Sequence, residues 1–231
     1  MPTWINETKK NISALKERGF FNSWAKREID PITFFIYPDL VLPNDWVEKR
    51  LDIYKENAKK LKAPPPKVAF YVYPSIDAVK NLEIVPAITF VKEKEIHGHL
   101  KQSPGHELTH ILLGEINTSK NLPANGLWAE GICVYLDGTE TDRKFHTLSL
   151  KYDNEILKTP WEKWRKSLPG DLYPLAGSIT QYCVEKYDIN IIRNFLEKLR
   201  DNGKNDNIIS EKIFQLPYSK LQENWREWLK K

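Results

Sequence analysis

The sequence predicts an α+β fold, with a small mixed sheet in the first half of the chain and helices in the second half. Short runs of β-branched and aromatic residues, which favour strands, lie between residues 33 and 100. From residue 127 onwards, apolar residues recur at the three- and four-residue spacing of a helical face. A length of 231 residues suits one domain with an appended subdomain, or two small domains that share a cleft.

We expect three parts along the chain. Residues 1–30 are expected to form an N-terminal helical segment that packs across the back of the sheet or covers a cleft. Residues 31–116 are expected to form an α/β part with helices packed on the sheet. Residues 117–231 are expected to form a helical C-terminal part.

The individual elements follow from local patterns. A helix is predicted over residues 45–61 because apolar residues recur there at helical spacing, and the prolines at 64–66 end it. Strands are predicted at residues 33–37, 68–73, 87–91 and 95–100. Further helices are predicted at residues 179–187, 191–199, 208–214 and 218–229.

Composition excludes several classes of function. The net charge is only +4, and no basic block interleaved with aromatic residues is present, so a nucleic-acid partner is not expected. No run approaches 18 apolar residues and no signal-peptide core is visible, so we expect no membrane span and a cytoplasmic location. Cys133 and Cys183 lie in apolar runs, which favours buried thiols over a disulfide framework.

The pentapeptide HELTH at residues 106–110 is the strongest indication of function. On a helix, His106 and His110 lie one turn apart on the same face, so both imidazoles reach one metal ion. Glu107 then lies beside the remaining coordination positions. Two neutral nitrogen ligands and a carboxylate that accepts a proton from water are what a zinc hydrolase needs. The alternative is a core helix that carries two histidines without a metal.

The residues around the pentapeptide support a short helix, over about residues 104–113. Ser103 is a good N-cap and Pro104 suits the first helical position. Gly114 is expected to end the helix.

A third metal ligand is expected from another part of the chain, because a catalytic zinc site normally has three protein ligands. Glu130 is the best candidate, since it is the lone carboxylate of the apolar run 127–135 and a buried carboxylate requires a partner. That partner is either a metal or an arginine or lysine side chain. Glu115 lies too close behind the second histidine. Asp137 is the second choice as ligand, and Asp142 is weaker.

The HExxH pattern at 106–110, followed by WAEG at 128–131, resembles the gluzincin group of metallopeptidases. This group belongs to the peptidase MA-like superfamily, which includes aminopeptidase N and thermolysin. The resemblance covers about residues 65–230 and is loose outside the two motifs. It implies a zincin-like fold, one Zn²⁺ per chain, and Glu130 as the third ligand.

The resemblance also implies roles in catalysis. Glu107 acts as the general base toward water activated by the metal, and it delivers the proton to the leaving amine. A tyrosine downstream of the third ligand stabilises the oxyanion, and Tyr173 stands at the matching place in this sequence, with Tyr182 as second choice. Either tyrosine is equally well explained as an aromatic core residue.

Two departures from the family pattern bear on specificity. Val134 replaces the aspartate that thermolysin-like members carry four residues after the glutamate ligand, so a supporting contact must come from elsewhere. The strand motif that binds a substrate's amino terminus in aminopeptidases is not visible. We therefore expect an endopeptidase or a hydrolase of narrow specificity.

Two more histidines lie upstream, in the predicted strand 95–100. His97 and His99 alternate by two, so on a strand they share a face and could form a second metal site or contact substrate. We expect instead that they are solvent-exposed loop residues. The strand 87–91 precedes the metal helix, in the place where related enzymes bind peptide backbone along a sheet edge.

The sequence therefore predicts a zinc-dependent metallopeptidase whose partner is a peptide or protein substrate. The alternative is a non-catalytic or narrow-substrate gluzincin-like domain that binds metal and regulates or contacts another protein. The presence of Glu107 argues for catalysis, because a purely structural zinc site needs no base.

Overall fold

The computed structural model describes residues 3–116, 126–139, 149, 172–202 and 206–231. Five strands are described: β1 Ala25–Ile29, β2 Ile32–Ile36, β3 Val68–Tyr73, β4 Ile88–Phe90 and β5 Glu95–His99. The helices in these ranges are α1 Thr3–Glu17, α2 Asn44–Leu61, α3 Ile76–Lys80, α4 His106–Ile116, α5 Gly126–Tyr135, α6 Tyr173–Tyr187, α7 Ile189–Asn202, α8 Asp206–Phe214 and α9 Tyr218–Leu229. A single 3-10 turn spans Phe20–Ser23.

The five strands form one mixed sheet in the order β1-β2-β3-β5-β4. β2, β3 and β5 run parallel to one another, while β1 and β4 are antiparallel to their neighbours. The α+β class and the mixed sheet are therefore confirmed. Because β5 lies between β3 and β4, both of its edges are hydrogen-bonded, and β4 forms an edge of the sheet.

Side chains alternate between the two faces of the sheet, and each face has its own core. On one face, Phe70 and Ile96 belong to the large apolar cluster that includes Leu108 and Leu112 of α4 and continues into the C-terminal helices. On the other face, the apolar cluster contains Tyr71 of β3 and Ile12 of α1. The N-terminal helix thus packs on the face of the sheet opposite to α4.

Two predicted details are wrong. Residues 25–29 form strand β1 and not part of a helical segment, because their backbone pairs with β2. Helix α4 does not end at Gly114 but continues to Ile116, which is buried. A Cβ atom on Gly114 would lie 2.1 Å from Cγ1 of Val91, so this glycine allows close packing against the segment after β4 and does not terminate the helix.

The remaining predicted helices and strands are present, with ends shifted by a few residues. The largest shift is in α6, which begins at Tyr173 rather than at residue 179. Cys133 and Cys183 are free, buried thiols. None of the helices in the described ranges has the length and apolar content that crossing a bilayer requires.

Candidate metal centre

Helix α4 presents its two histidines on one face, as the four-residue spacing requires. The imidazole rings of His106 and His110 have centroids 5.0 Å apart and are inclined by 74°. Their side chains are 16% and 19% exposed, so both are partly accessible to solvent. The rest of the helix is anchored by buried apolar residues, among them Leu108, Ile111 and Leu112.

Helix α5 brings Glu130 to the two histidines. One carboxylate oxygen, Oε2, lies 3.1 Å from Nε2 of His106 and 3.3 Å from Nε2 of His110. One ligand atom from each of the three side chains lies within 4.8 Å of the other two. The neighbouring Gly131 lets α5 approach α6 closely, since a Cβ there would lie 2.5 Å from the carbonyl oxygen of Ala176.

These separations fit a zinc ion. Zinc binds imidazole nitrogen and carboxylate oxygen at about 2.0–2.2 Å, so two ligands at tetrahedral angles lie about 3.3 Å apart. The two measured separations from Glu130 agree with that value. Among the described residues, the potential donor set is two nitrogens and one oxygen, and three protein ligands is the number that a catalytic zinc site normally has.

Within the triad, the side chains of Glu130 and His110 change each other's pKa values. Burial raises the pKa of Glu130, but His110 and His106 outweigh that effect and hold it far below its usual range. Burial lowers the pKa of His110, but the contacts with Cys133 and Glu130 outweigh it and hold the pKa well above its usual range. Without a metal, the ionised carboxylate therefore attracts a proton onto the imidazole. A divalent cation would compensate the negative charge of Glu130 as this proton does.

Glu107 lies beside the triad and is itself buried. The hydroxyl of Thr89 on β4 donates a hydrogen bond of 2.5 Å to Oε2 of Glu107, and it lies 3.3 Å from the backbone oxygen of the same residue. This contact fixes one carboxylate oxygen and joins the edge strand to the metal helix. The sequence did not single out Thr89, because no local pattern connects it with α4.

Tyr173, at the start of α6, lies next to the triad. Its ring centroid is 6.0 Å from that of His106, and burial, followed by the charge of Glu130, raises the pKa of its hydroxyl to about 12. Tyr182, the second choice, packs its ring against Tyr187 and Trp228 in the C-terminal helices. The structure thus places Tyr173 beside the metal helix and gives Tyr182 a core environment.

The other candidate ligands do not join the triad. Oδ1 of Asp137 accepts hydrogen bonds from the backbone N–H and the hydroxyl of Thr139, at 2.8 and 2.6 Å. Asp142 lies outside the described residues. Within the part of the chain that the structure describes, no lysine or arginine pairs with Glu130, so the alternative of a basic partner finds no support there.

The expectation for His97 and His99 is wrong. Both are buried residues of strand β5, with exposures of 0% and 7%, and not exposed loop residues. The reason is that β5 lies inside the sheet, where α1 covers the face that carries His97. Within the described ranges, neither histidine belongs to a cluster of three potential metal ligands, so the second metal site also finds no support.

The thiol of Cys133 is a further neighbour of the triad. It lies one turn after Glu130 on α5 and hydrogen-bonds the side chain of His110. Burial raises its pKa to about 11, so the thiol is protonated at neutral pH. The sequence identified a buried thiol here, but only the packing of α5 against α4 reveals its contact with His110.

Comparisons with known proteins give one informative result. No family model matches the chain, and no curated protein matches it at the sequence level. Among solved structures, the fold is similar to the crystal structure of an M1 zinc metallopeptidase from Deinococcus radiodurans, with a TM-score of 0.54 and 11% sequence identity. The match covers 86% of this chain and 48% of that chain, so this chain spans about half the length of that protein.

Proposed function

We propose that the chain is a zinc-dependent metallopeptidase of gluzincin type with a zincin-like fold, holding one Zn²⁺ through His106, His110 and Glu130. The observation that carries the proposal is the convergence of three donor atoms within 4.8 Å of one another, with the two distances from Glu130 close to those between tetrahedral zinc ligands. The HExxH spacing and the similarity of the fold to a zinc metallopeptidase support it independently.

A zinc ion at this site supplies a Lewis acid, which favours ionisation of water and polarises a peptide carbonyl group. Glu107 is the general base: it takes the proton of the attacking water and passes it to the leaving amine nitrogen. The hydrogen bond from Thr89 holds Oε2 of Glu107, so Oε1 is the oxygen that would take this proton.

Tyr173 completes the chemistry as hydrogen-bond donor to the oxyanion that forms on the carbonyl oxygen. A pKa of about 12 keeps its hydroxyl protonated at neutral pH, as a donor must be. The position of its ring beside that of His106 supports this role.

The substrate class is a peptide or a protein segment in extended conformation. Strand β4 is an edge of the sheet, and one of its residues, Thr89, contacts the proposed base. A peptide that pairs with the free side of β4 would therefore run past the triad, in the manner of strand addition. The missing amino-terminus motif favours cleavage inside a peptide over removal of its first residue.

The test of this function is metal analysis combined with cleavage of a proteome-derived peptide pool. The purified chain is expected to contain about one zinc per molecule and to cleave peptides. Glu107→Gln is expected to lose roughly 100- to 10,000-fold in kcat and to keep its zinc, because the base is not a ligand.

Glu115→Gln is the matched control for this test. Glu115 is a glutamate of the same helix that pairs with Lys94 and lies outside the triad, so its substitution should leave cleavage unchanged. A wild-type chain that takes up no zinc contradicts the proposal. So does a chain that binds zinc but leaves every peptide of the pool intact, a result that would favour the non-catalytic alternative.

A further inference from the structure

A single buried amide on helix α2 connects the two helices that carry the metal ligands. Asn57 is only 3% exposed, although it belongs to a helix face that packs apolar residues such as Tyr54 and Ala58 into the core. An amide in such a place costs free energy unless its hydrogen bonds are made. Its partners therefore indicate why asparagine occupies this position.

Both hydrogens of the Asn57 amide nitrogen are used. Nδ2 donates to the carbonyl oxygen of Leu136 at 2.7 Å and to Oγ1 of Thr109 at 3.1 Å. Because a carbonyl oxygen only accepts, the orientation of the amide is fixed. The hydroxyl of Thr109 then donates to the carbonyl oxygen of Gly105 at 2.8 Å, which completes a chain of three bonds.

These bonds join the start of α4 to the end of α5. Thr109 lies between the two histidines of α4, and Leu136 is the first residue after α5, six positions beyond Glu130. The backbone N–H of Gly105 adds a direct link, since it donates to the carbonyl oxygen of Asp137 at 2.8 Å.

The packing around Gly105 leaves no room for a side chain. A Cβ on this residue would lie 2.7 Å from the carbonyl oxygen of Leu136, 2.9 Å from that of Asp137 and 2.6 Å from Cγ2 of Ile53. The start of α4 is therefore packed directly against the end of α5 and against α2. Asn57 supplies the side-chain hydrogen bonds of this junction.

We propose that Asn57 is a positioning residue of the metal site, which sets the relative placement of α4 and α5 and thereby the distances between the two imidazoles and Glu130. This inference rests on the proposed function, because it assumes that the triad binds zinc. Asn57 does not contact the ligands themselves. It acts through Thr109 and Leu136, and helical backbone carries the constraint to the ligand side chains.

The direct test is the zinc affinity of Asn57→Leu, measured by competition with a chromophoric chelator. Leucine keeps the branched shape of asparagine but donates no hydrogen bond. We expect the dissociation constant to rise by about tenfold, the lower range seen when partners of metal ligands are removed.

Tyr54→Phe is the matched control. It also removes one buried hydrogen bond from α2, the one that the Tyr54 hydroxyl donates to the carbonyl oxygen of Pro66 at 3.0 Å. Its melting temperature without metal should fall in the same way as that of Asn57→Leu, while its zinc affinity should equal that of the wild type. A merely structural role for Asn57 would make the two variants alike in both measurements.

Substitutions of Thr109 test the same link if Asn57→Leu does not fold. Thr109→Ser keeps the hydroxyl and should bind zinc as the wild type does, whereas Thr109→Val should weaken binding by a factor similar to that of Asn57→Leu. In the double variant of Asn57→Leu and Thr109→Val, the two losses should not add, since both substitutions break one connection.

Two outcomes overturn the inference, and they are distinguishable. If the wild type binds zinc and cleaves peptides, and both Asn57→Leu and Thr109→Val bind zinc equally well, only the role of Asn57 is wrong. If the wild type itself binds no zinc, the proposed function fails together with this inference.

Discussion

Two clusters of histidine and glutamate lie on opposite faces of the same sheet, and they differ in what their polar atoms contact. The metal cluster consists of His106, His110 and Glu130 on the face that carries α4. The buried cluster consists of Glu95, His97 and Tyr73 beneath α1. Both contain an imidazole within hydrogen-bonding distance of a carboxylate, so residue type alone does not separate them.

In the buried cluster every polar group of the three side chains has a protein partner. Nε2 of His97 donates to Oε1 of Glu95 at 2.8 Å, because a carboxylate only accepts. Nδ1 of His97 then accepts from the hydroxyl of Tyr73 at 2.8 Å, and Nζ of Lys16 donates to Oε2 of Glu95 at 2.5 Å. The ring of Tyr71 stacks on His97 at 4.6 Å. No ligand position is left for a metal.

The metal cluster is arranged in the opposite way. Two imidazoles converge on a single carboxylate oxygen, and all three side chains are partly exposed. Such convergence brings two imidazole nitrogens and one carboxylate oxygen together, which is a donor set that one cation could share. The comparison shows that convergence and access, rather than composition, distinguish the candidate metal site from the buried hydrogen-bond network.

The largest difference between the two clusters is expected in zinc affinity, when the glutamate of each cluster is replaced by alanine. Glu130→Ala should weaken zinc binding by more than about 100-fold, beyond the effect of losing a contact to a ligand, because a ligand itself is lost. Glu95→Ala should leave zinc affinity unchanged. Chelator competition on the two variants is the measurement, and equal affinities in both would remove Glu130 from the ligand set.

Tyr173, beside the metal cluster, and Tyr73, in the buried cluster, provide the next contrast. Tyr173→Phe should lower kcat by roughly 100-fold with little change in KM, since a donor to the oxyanion acts only in the transition state. Tyr73→Phe should leave kcat unchanged, because the hydroxyl of Tyr73 is buried on the other face. Steady-state kinetics on one cleaved peptide separates the two, and a normal kcat in Tyr173→Phe would assign Tyr173 to the aromatic core instead.

The residues of the metal cluster could be singled out from the sequence because each of them has a local signal. Four-residue spacing on a helix places His106 and His110 together in any fold, and Glu130 stands out as a lone carboxylate in an apolar helix. Helix α2 was predictable for the same reason, from its apolar stripe. These signals depend on residues within one or two turns of each other, whereas the meeting of Glu130 with the two histidines is a tertiary contact.

The buried cluster was not predictable, because it depends on the order of the strands. Nothing local to His97 tells that β5 inserts between β3 and β4, or that α1 covers that face. Gly114 was misinterpreted for the same reason, since its contact with Val91 is tertiary. Asn57 left only a faint signal, a polar residue within the apolar stripe of α2, and its partners lie 52 and 79 residues away.

The free energy of unfolding should fall more when the buried cluster loses its glutamate than when the metal cluster does. In metal-free protein, Glu95→Ala should lower the free energy of unfolding by about 1–3 kcal/mol, because it leaves the buried donor of His97 without a partner. Glu130→Ala should cost less under the same conditions, since its imidazole partners are partly exposed. Urea unfolding of both variants measures the difference. A larger loss in Glu130→Ala would contradict this contrast.

A smaller effect is expected on the pH dependence of stability: the lowered pKa of His97 should make the protein less stable as the pH falls. Burial lowers the pKa of His97 below its usual range, and the contact with Glu95 opposes this only in part. At a pH above about 6.5, the pKa of a histidine in the unfolded chain, the His97 imidazole is neutral in both the folded and the unfolded state. As the pH falls below that value, only the unfolded chain gains a proton, so stability is lost, by up to roughly 1 kcal/mol at pH 5.5.

His97→Gln should remove this dependence, and the difference between wild type and variant isolates it. Burial also lowers the pKa of His99, but that contribution has the same sign in both proteins and cancels. In the variant, the glutamine amide can donate to Glu95 as His97 does, and Lys16 remains a donor to the same carboxylate. Burial raises the pKa of Glu95, but hydrogen bonds from His97 and Lys16 outweigh this, and its titration lies at lower pH. Identical pH profiles between pH 7 and 5.5 would show that His97 does not titrate differently on folding.

The most direct test of the comparison is a crystal structure of the zinc-soaked protein, with anomalous scattering recorded at the zinc edge. We expect one peak, about 2.0–2.2 Å from Nε2 of His106, Nε2 of His110 and a carboxylate oxygen of Glu130, and none at His97. An empty triad, or a zinc ion held by His97 and Glu95, would contradict the account.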